Sequence, residues 1–505
     1  MVKYKNTRQV VAEREEAKAA EGKVKVSSWV KFVIVTALYL AFLYWVGSWW
    51  GLLVVPFIFD LYITKKIKWT WWKQLESPVA RTVMSWVDAL VFALVAVYFI
   101  NNFFFQNYTI PSSSLEKSLL VGDNLLVSKF SYGARIPQTP LTMPLTQHTL
   151  PGGQLKSYLE WPHWDYRRTK GTGNVELQDI VVFNYPAGDT VAVNFNNDFY
   201  ILCYEIGLQQ AMASGYQMPD RKQLTTEEQM NLFYQIYNIG KDVVKSNPNQ
   251  YGEIVVRPTD RRENYVKRCV GLPGQTLQIR NKKIYNNGKA QRQPTDAQWN
   301  YYVYATGDIS YTLRAQLGIS DEDYLQWNDR PDHPQPEHRR GIPLTETTKK
   351  ALLAETAIVE RIEPVGVTET DILYPLDHDY GWTRDDYGPI WIPKKGETIT
   401  LTLDNIAIYE RPIRAYEGNK LAVRNGKIYI NDKETTTYTF KMDYYWMMGD
   451  NRHNSLDSRY FGFVPEDHVV GKPIFIWYSK CEDKLNPESP NIRWDRVFKM
   501  VDNIK

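Results

Sequence analysis

A triplet of serines, Ser112, Ser113 and Ser114, follows closely on an apolar run that ends at Phe105. Serine at its free pKa is a poor nucleophile and needs a base within hydrogen-bond reach. The chain carries seven His but no Gly-x-Ser-x-Gly elbow that presents a serine to a His/Asp pair. Lysine can serve instead, provided that burial strips water from its ammonium and lowers its pKa. In Tyr265-Val-Lys-Arg-Cys-Val-Gly-Leu-Pro-Gly274, Lys267 lies between apolar neighbours in a strand-like stretch, with Arg268 directed to the opposite face. A third block, Gly449-Asp-Asn-Arg-His-Asn-Ser-Leu-Asp-Ser-Arg459, gathers polar side chains behind a tight Gly-Asp-Asn turn. Each block has a bland explanation when taken singly: a polar linker, a solvated strand lysine, a surface turn with an ion pair.

Taken together, the three blocks resemble bacterial type I signal peptidase, a membrane-bound serine protease with a Ser/Lys dyad. The family pattern Pro-Ser-x-Ser-Met-x-Pro-Thr-Leu-x-x-Gly-Asp sets the register. Its nucleophile lies eight residues before Gly122 of the Gly122-Asp123 pair, which is Ser114. The resemblance implies that Lys267 is the general base and that Ser455 orients its amine. It further implies that Asp457 and Arg459 brace the site, and that the Ser114 N–H and the Ser112 hydroxyl form the oxyanion hole. Asp179-Ile-Val-Val-Phe183 matches another family segment and is expected to offer an open strand edge for an extended signal peptide. Departures are specific: Ser113 for Gly, Leu115 for Met, Lys117-Ser118 for Pro-Thr, Gln178 for Gly, Gln275 for an acidic residue. None removes a reacting group, though Ser113 and Lys117 bear on the local turn.

The activity so implied is cleavage of signal peptides from exported preproteins after Ala-x-Ala-type junctions, through an acyl-enzyme, with no cofactor and no metal. Expected partners are signal-peptide-bearing preproteins, membrane lipid and the secretion machinery. A non-enzymatic rival is a silent, membrane-anchored scaffold of the same fold that binds exported peptides. A self-cleaving Ser/Lys repressor would need a DNA-binding head in place of apolar spans.

Those apolar runs position everything else. No charge interrupts Phe32–Phe59, a stretch of 28 residues. As one helix it would extend about 42 Å, too long for a hydrocarbon core of about 30 Å. Widened to Ser28–Ile63, it divides into two short spans of about 17 residues with a turn at Gly47-Ser48. A further run, Ala89–Phe105, extends back to Val83 with only Asp88 added, and Asp88 is read as a helix-pairing or interface residue. The leader to Val26 carries seven Lys/Arg, and residues 65–81 carry Lys65, Lys66, Lys68, Lys73 and Arg81 against Glu76. Both flanks therefore favour the cytoplasm. The expected order is a cytoplasmic leader (1–27), a transmembrane hairpin (28–64), a basic cytoplasmic loop (65–81) and a transmembrane helix (82–106). Everything later lies beyond an inner (cytoplasmic) membrane.

That region, 107–480, is expected to be a mainly β, signal-peptidase-like catalytic domain with α-containing insertions near 187–255 and 290–395. A tail follows at 481–505. Strand-type alternation marks Asp123–Phe130, Thr398–Leu403, Gly426–Asn431 and Lys472–Tyr478. Helices are predicted at Thr226–Val244, behind the capping box Thr225-Thr-Glu-Glu228, and at Thr345–Ile362. At 505 residues, 44% hydrophobic, the chain supports two or three domains. A net charge of +3 with no basic block argues against nucleic acid as a partner. Three Cys without a CxxC pair argue against a disulfide scaffold or structural zinc.

Overall fold

The computed structural model describes residues 25–152, 155–187, 190–195, 198–320, 323–324, 339–366, 372–481 and 491–504. Most of the leader and the proline-punctuated run Asp329–His338 lie outside the described residues. The chain forms two compact units: residues up to Phe99 together with Arg168–Lys170, and the remainder.

In the first unit, α1 (Val26–Val46) ends where Gly47 turns left-handed at φ 69°, its N–H donating to Leu43 and Tyr44 carbonyls. Glycine takes that conformation without a Cβ clash. The apolar region then continues as shorter helical turns over Trp50–Thr64. The chain turns at Gly47, and the helical segments on either side are unequal. Among the described residues two helices are long and apolar enough to cross a bilayer, α1, of 21 residues, and the next helix, α2 (Pro78–Phe103), of 26 residues; the second arm, Trp50–Thr64, is not. The short arm is closed by Asp60, whose carboxylate accepts from Thr64, from the Lys66 and Ile67 N–H groups and from the Trp69 indole.

The second unit is mainly β. Its principal sheet contains β1 (Phe105–Thr109), β2 (Asp123–Ser128), β3 (Ile180–Asn184), β4 (Asn264–Gly271), β5 (Tyr444–Met448), β6 (Val464–Pro465) and β7 (Val469–Ser479). They lie in the order β1-β2-β7-β3-β4-β5-β6, antiparallel throughout. Both faces of β3 are covered. Ile180 and Val182 pack with Leu115, Leu125 and Ile476, whereas Val181 and Phe183 pack with Cys269, Met447 and Phe461. This is why the segment reads as an unbroken apolar run instead of an alternating one. It also overturns the expected open edge at Asp179–Phe183, because β3 is bonded to β7 on one side and β4 on the other.

Two inserted bodies interrupt the sheet. The first pairs α3 (Phe199–Ala213) with α4 (Thr226–Ser246). Thr225 and Glu228 form the reciprocal cap foreseen in the sequence. The two helices meet at Gly207 and Gly240, where any Cβ would strike the facing backbone. The second holds a three-stranded sheet in which Gln298–Ala305 lies between Arg339–Thr345 and Val359–Pro364, with α5 (Glu346–Ala354) packed on it. The helix predicted to reach Ile362 therefore stops at Ala354. Beyond it Val359 joins the strand core with Val303 and Ile342, since a β-branched residue gains more from a pleated, buried surface than from another helical turn. Residues 491–504, expected as a tail, return to the sheet: Lys499–Met500 pairs with β7, and Arg496 meets buried Asp123 at 2.6 Å.

Candidate active site

β1 and β2 are joined by the segment 110–122, in which Ser113–Leu115 makes one tight turn. Leu115 and Leu119 anchor this loop in the core, so its backbone is fixed while Ser114 stays partly accessible. Lys267, in the first half of β4, extends its amine to 2.7 Å from Ser114 Oγ. It is 3% exposed, and the Tyr265 ring lies 5.4 Å from Nζ. Burial pulls the lysine pKa down to about 8, against the opposing pull of Asp457 and Asp450. Desolvation therefore dominates two nearby carboxylates. The arrangement holds an amine with a pKa of about 8 against a hydroxyl, a geometry in which the amine can act as base toward the serine.

The third block surrounds this pair. Arg459 forks onto Asp457 at 2.9 and 2.8 Å, and Asp457 also accepts from the Gly449 N–H. Both side chains are buried, and their mutual attraction holds the Asp457 carboxyl below its ordinary range despite burial. Gly449 passes so close to Ser455 Oγ and the Ser114 carbonyl that no side chain fits there. Asn451 donates its N–H to the Ser114 carbonyl at 3.1 Å and its amide to the Ser113 carbonyl at 3.2 Å. On the opposite side of β4 from Lys267, Arg268 is bonded to Asp450, which also accepts from Ser118.

Of the residues expected from the sequence, the structure brings Ser114 and Lys267 into contact and pairs Asp457 with Arg459. Ser112 is exposed, with extended backbone, and its hydroxyl is not spent on capping the turn. Ser455 is buried beside Gly449, but its Oγ makes no hydrogen bond, so the expected bond to Lys267 is not formed. Two histidines are committed elsewhere. His453 bridges Asp385 and the Asn300 N–H, with its pKa driven down to about 4 by burial. His468 lies between Asp467 and Arg262.

Sequence reasoning missed Asp450 and Asn451 as side chains that fasten the serine loop. Their only signal was membership of the Gly-Asp-Asn turn. The departure at Gln178 is also explained: its φ of 74° is one that glycine adopts freely, and its carbonyl accepts from Arg268. The three cysteines are free, and no cluster that could hold a metal ion occurs among the described residues.

Comparison with known proteins identifies the family. The model of the family "Signal peptidase, peptidase S26" matches residues 83–333 and 394–478. Curated relatives named Signal peptidase I include that of Buchnera aphidicola, 26% identical over 259 residues, covering 50% of this chain and 63% of that protein. The Helicobacter pylori protein is 28% identical over 151 residues, covering 27% and 52%. That of Aquifex aeolicus is 43% identical over 63 residues, covering 12% and 25%. The chain thus spans less than two thirds of the length of each of these relatives.

Proposed function

The chain belongs to the signal peptidase family, peptidase S26, and from that membership we propose that it is a membrane-bound serine endopeptidase. Its substrates are exported preproteins, cut after small residues of the Ala-x-Ala type. The observation that carries the reading is the buried lysine amine at 2.7 Å from Ser114 Oγ, with its pKa brought to about 8. Neutral Lys267 takes the proton as Ser114 Oγ attacks the scissile carbonyl. The tetrahedral oxyanion is met by the Ser114 N–H and the Ser112 hydroxyl. Lysinium then protonates the departing amine, and water, activated by the same lysine, releases the acyl group. Asp457 and Arg459 keep the block behind the dyad rigid, and Ser455 stands beside it as a hydroxyl free to bond the amine when substrate binds.

Two strand segments with open sides support an extended substrate. Among the described residues, β1 is bonded only to β2, and Tyr265–Lys267 of β4 only to β3. A signal peptide added to such an edge satisfies its backbone while alternate side chains enter pockets. The apolar helices α1 and α2 support anchoring in the cytoplasmic membrane, with the basic segments 1–27 and 65–81 inside and the β unit outside. Preproteins, lipid and the secretion machinery are the partners of an enzyme so located.

The test is cleavage of a preprotein with an Ala-x-Ala junction by the native protein and by Ser114→Ala. Processing should vanish in the variant. Undiminished cleavage would remove Ser114 from the mechanism.

A further inference from the structure

The second inserted body is fastened to the loop that carries Ser114. Gln298, first residue of its central strand, is fully buried and forms a parallel bridge with Asn451. Its N–H donates to the Asp450 carbonyl at 3.0 Å, and its carbonyl accepts from the Arg452 N–H at 2.9 Å. Asn451, held between these two bonds, is the residue that grips the Ser113 and Ser114 carbonyls. A neighbouring tie reinforces the junction: Asn300 and Asn454 exchange amide hydrogen bonds at 3.1 and 3.0 Å.

A second arm starts from the same glutamine. Its amide donates at 2.9 Å to one oxygen of Asp323, and Lys117 donates to the other at 2.7 Å. Asp323 is completely buried, and among the described residues its carboxylate takes these two donors. Lys117 lies three residues after Ser114, at φ 74°, a conformation that a side-chain-bearing residue resists. Something must hold it there, and among the described residues the cationic end is held by Asp323 and, at 4.0 Å, Glu116.

We propose that the inserted body is a brace for the nucleophile loop, with Gln298 and Asp323 as positioning residues that fix Ser114 against Lys267. One arm acts through Asn451 on the Ser114 carbonyl. The other pins Lys117 in its strained conformation and so sets the exit of the loop. The brace deepens the Ser/Lys reading and rests on it. Its effect belongs to the rate of the chemical step, because a displaced nucleophile loses near-attack geometry while the substrate edge is untouched.

The test uses full-length protein in detergent micelles and a quenched-fluorescence peptide with an Ala-x-Ala junction. Asp323→Ala should lower kcat by about tenfold to a hundredfold, the range that small misplacements of reacting groups produce. KM should stay near its native value. Asp323→Asn, of the same shape, guards against loss of folding and should give a smaller fall in kcat, since it retains one acceptor. Adding Lys117→Gly to either variant should restore most of the lost rate, because glycine takes φ 74° without needing to be held. A general loss of stability would not be repaired in this way. Native kcat in both Asp323 variants, a loss confined to KM, or a loss that Lys117→Gly leaves unrepaired would each overturn the brace. Ser114→Ala is assayed alongside. If it cleaves, the nucleophile reading itself fails; if it is inert while both Asp323 variants cut at the native rate, only the brace fails.

Discussion

In the proposed mechanism the chemistry turns on Lys267, and its burial gives the reaction a definite pH dependence. Moving its pKa from 10.5 to about 8 costs the ammonium roughly 3 kcal/mol of solvation that neighbouring carboxylates do not return. With the neutral amine as the proposed base, kcat/KM should rise with pH through an acidic limb near 8. Lys267→Arg should be inactive although it keeps the charge, since guanidinium holds its proton throughout this range. His453→Ala and His468→Ala should leave the limb in place, because both rings are bonded away from Ser114. Loss of the limb in either histidine variant would point to a histidine base. The linkage has a second consequence. A lysine whose folded pKa lies below its unfolded value binds its proton less readily when folded, so stability rises as pH climbs from about 8 toward 10.5. At pH 7 Lys267→Met should therefore be inactive yet more stable, by about 1–3 kcal/mol in denaturant unfolding. In the serine triplet, Ser113→Ala should keep most activity, and Ser112→Ala should lose roughly 10²–10³-fold if its hydroxyl is one oxyanion donor.

The loops and strands that present these side chains are specified by close approach and by buried charge. Gly449 lets β5 turn directly beneath Ser114 and Ser455. Gly449→Ala should push the serine loop outward, with kcat on the peptide substrate falling by about a hundredfold and KM changing little. An equal rise in KM would mean that the substrate edge moved instead. At the other end of the serine loop, Asp123 is fully buried and is held by Arg496 at 2.6 Å and Arg493 at 3.7 Å. Both arginines come from the returning C-terminal segment. Arg496→Ala leaves the buried carboxylate with the Ser479 hydroxyl, the Leu120 N–H and only one distant cation, Arg493, an imbalance typically worth about 3–5 kcal/mol. The thermal midpoint should drop clearly, and a shift within error would show that the remaining donors and Arg493 suffice.

For the molecule as a whole, the proposed topology makes a direct claim about accessibility. A cysteine introduced at Lys68 should react with an impermeant thiol reagent only from the cytoplasmic side. One at exposed Lys289, in the β unit, should react only from the other. Labelling of both from the same side would remove the arrangement in which α2 carries the chain across the membrane. The family match passes over residues 334–393, which include the outer strands and helix of the second insertion. The brace residues themselves, Lys117, Gln298, Asp323 and Asn451, lie within the matched segments, Gln298 and Asp323 at the near end of that insertion.

What the sequence determined by itself was local or periodic. Serine, lysine and a Gly-Asp-Asn turn could be matched in register because their chemistry is written in adjacent residues. The α4 cap, the apolar helices and the alternation of most strands follow from spacing alone. The tertiary structure decided which segments lie edge to edge and which water is removed. The interior position of β3 depends on pairing with β4 and β7, which lie far along the chain, so an apolar run offered no way to choose between open edge and buried centre. The strand at Val359–Pro364 won over continued helix because it pairs with the strand that carries Val303 and buries Val359 in the same core. Residues 491–504 looked like a polar tail until Asp123, buried by the fold, required their arginines. The lysine pKa belongs to the same class: a side chain's charge is legible in sequence, but its cost is set by everything folded around it.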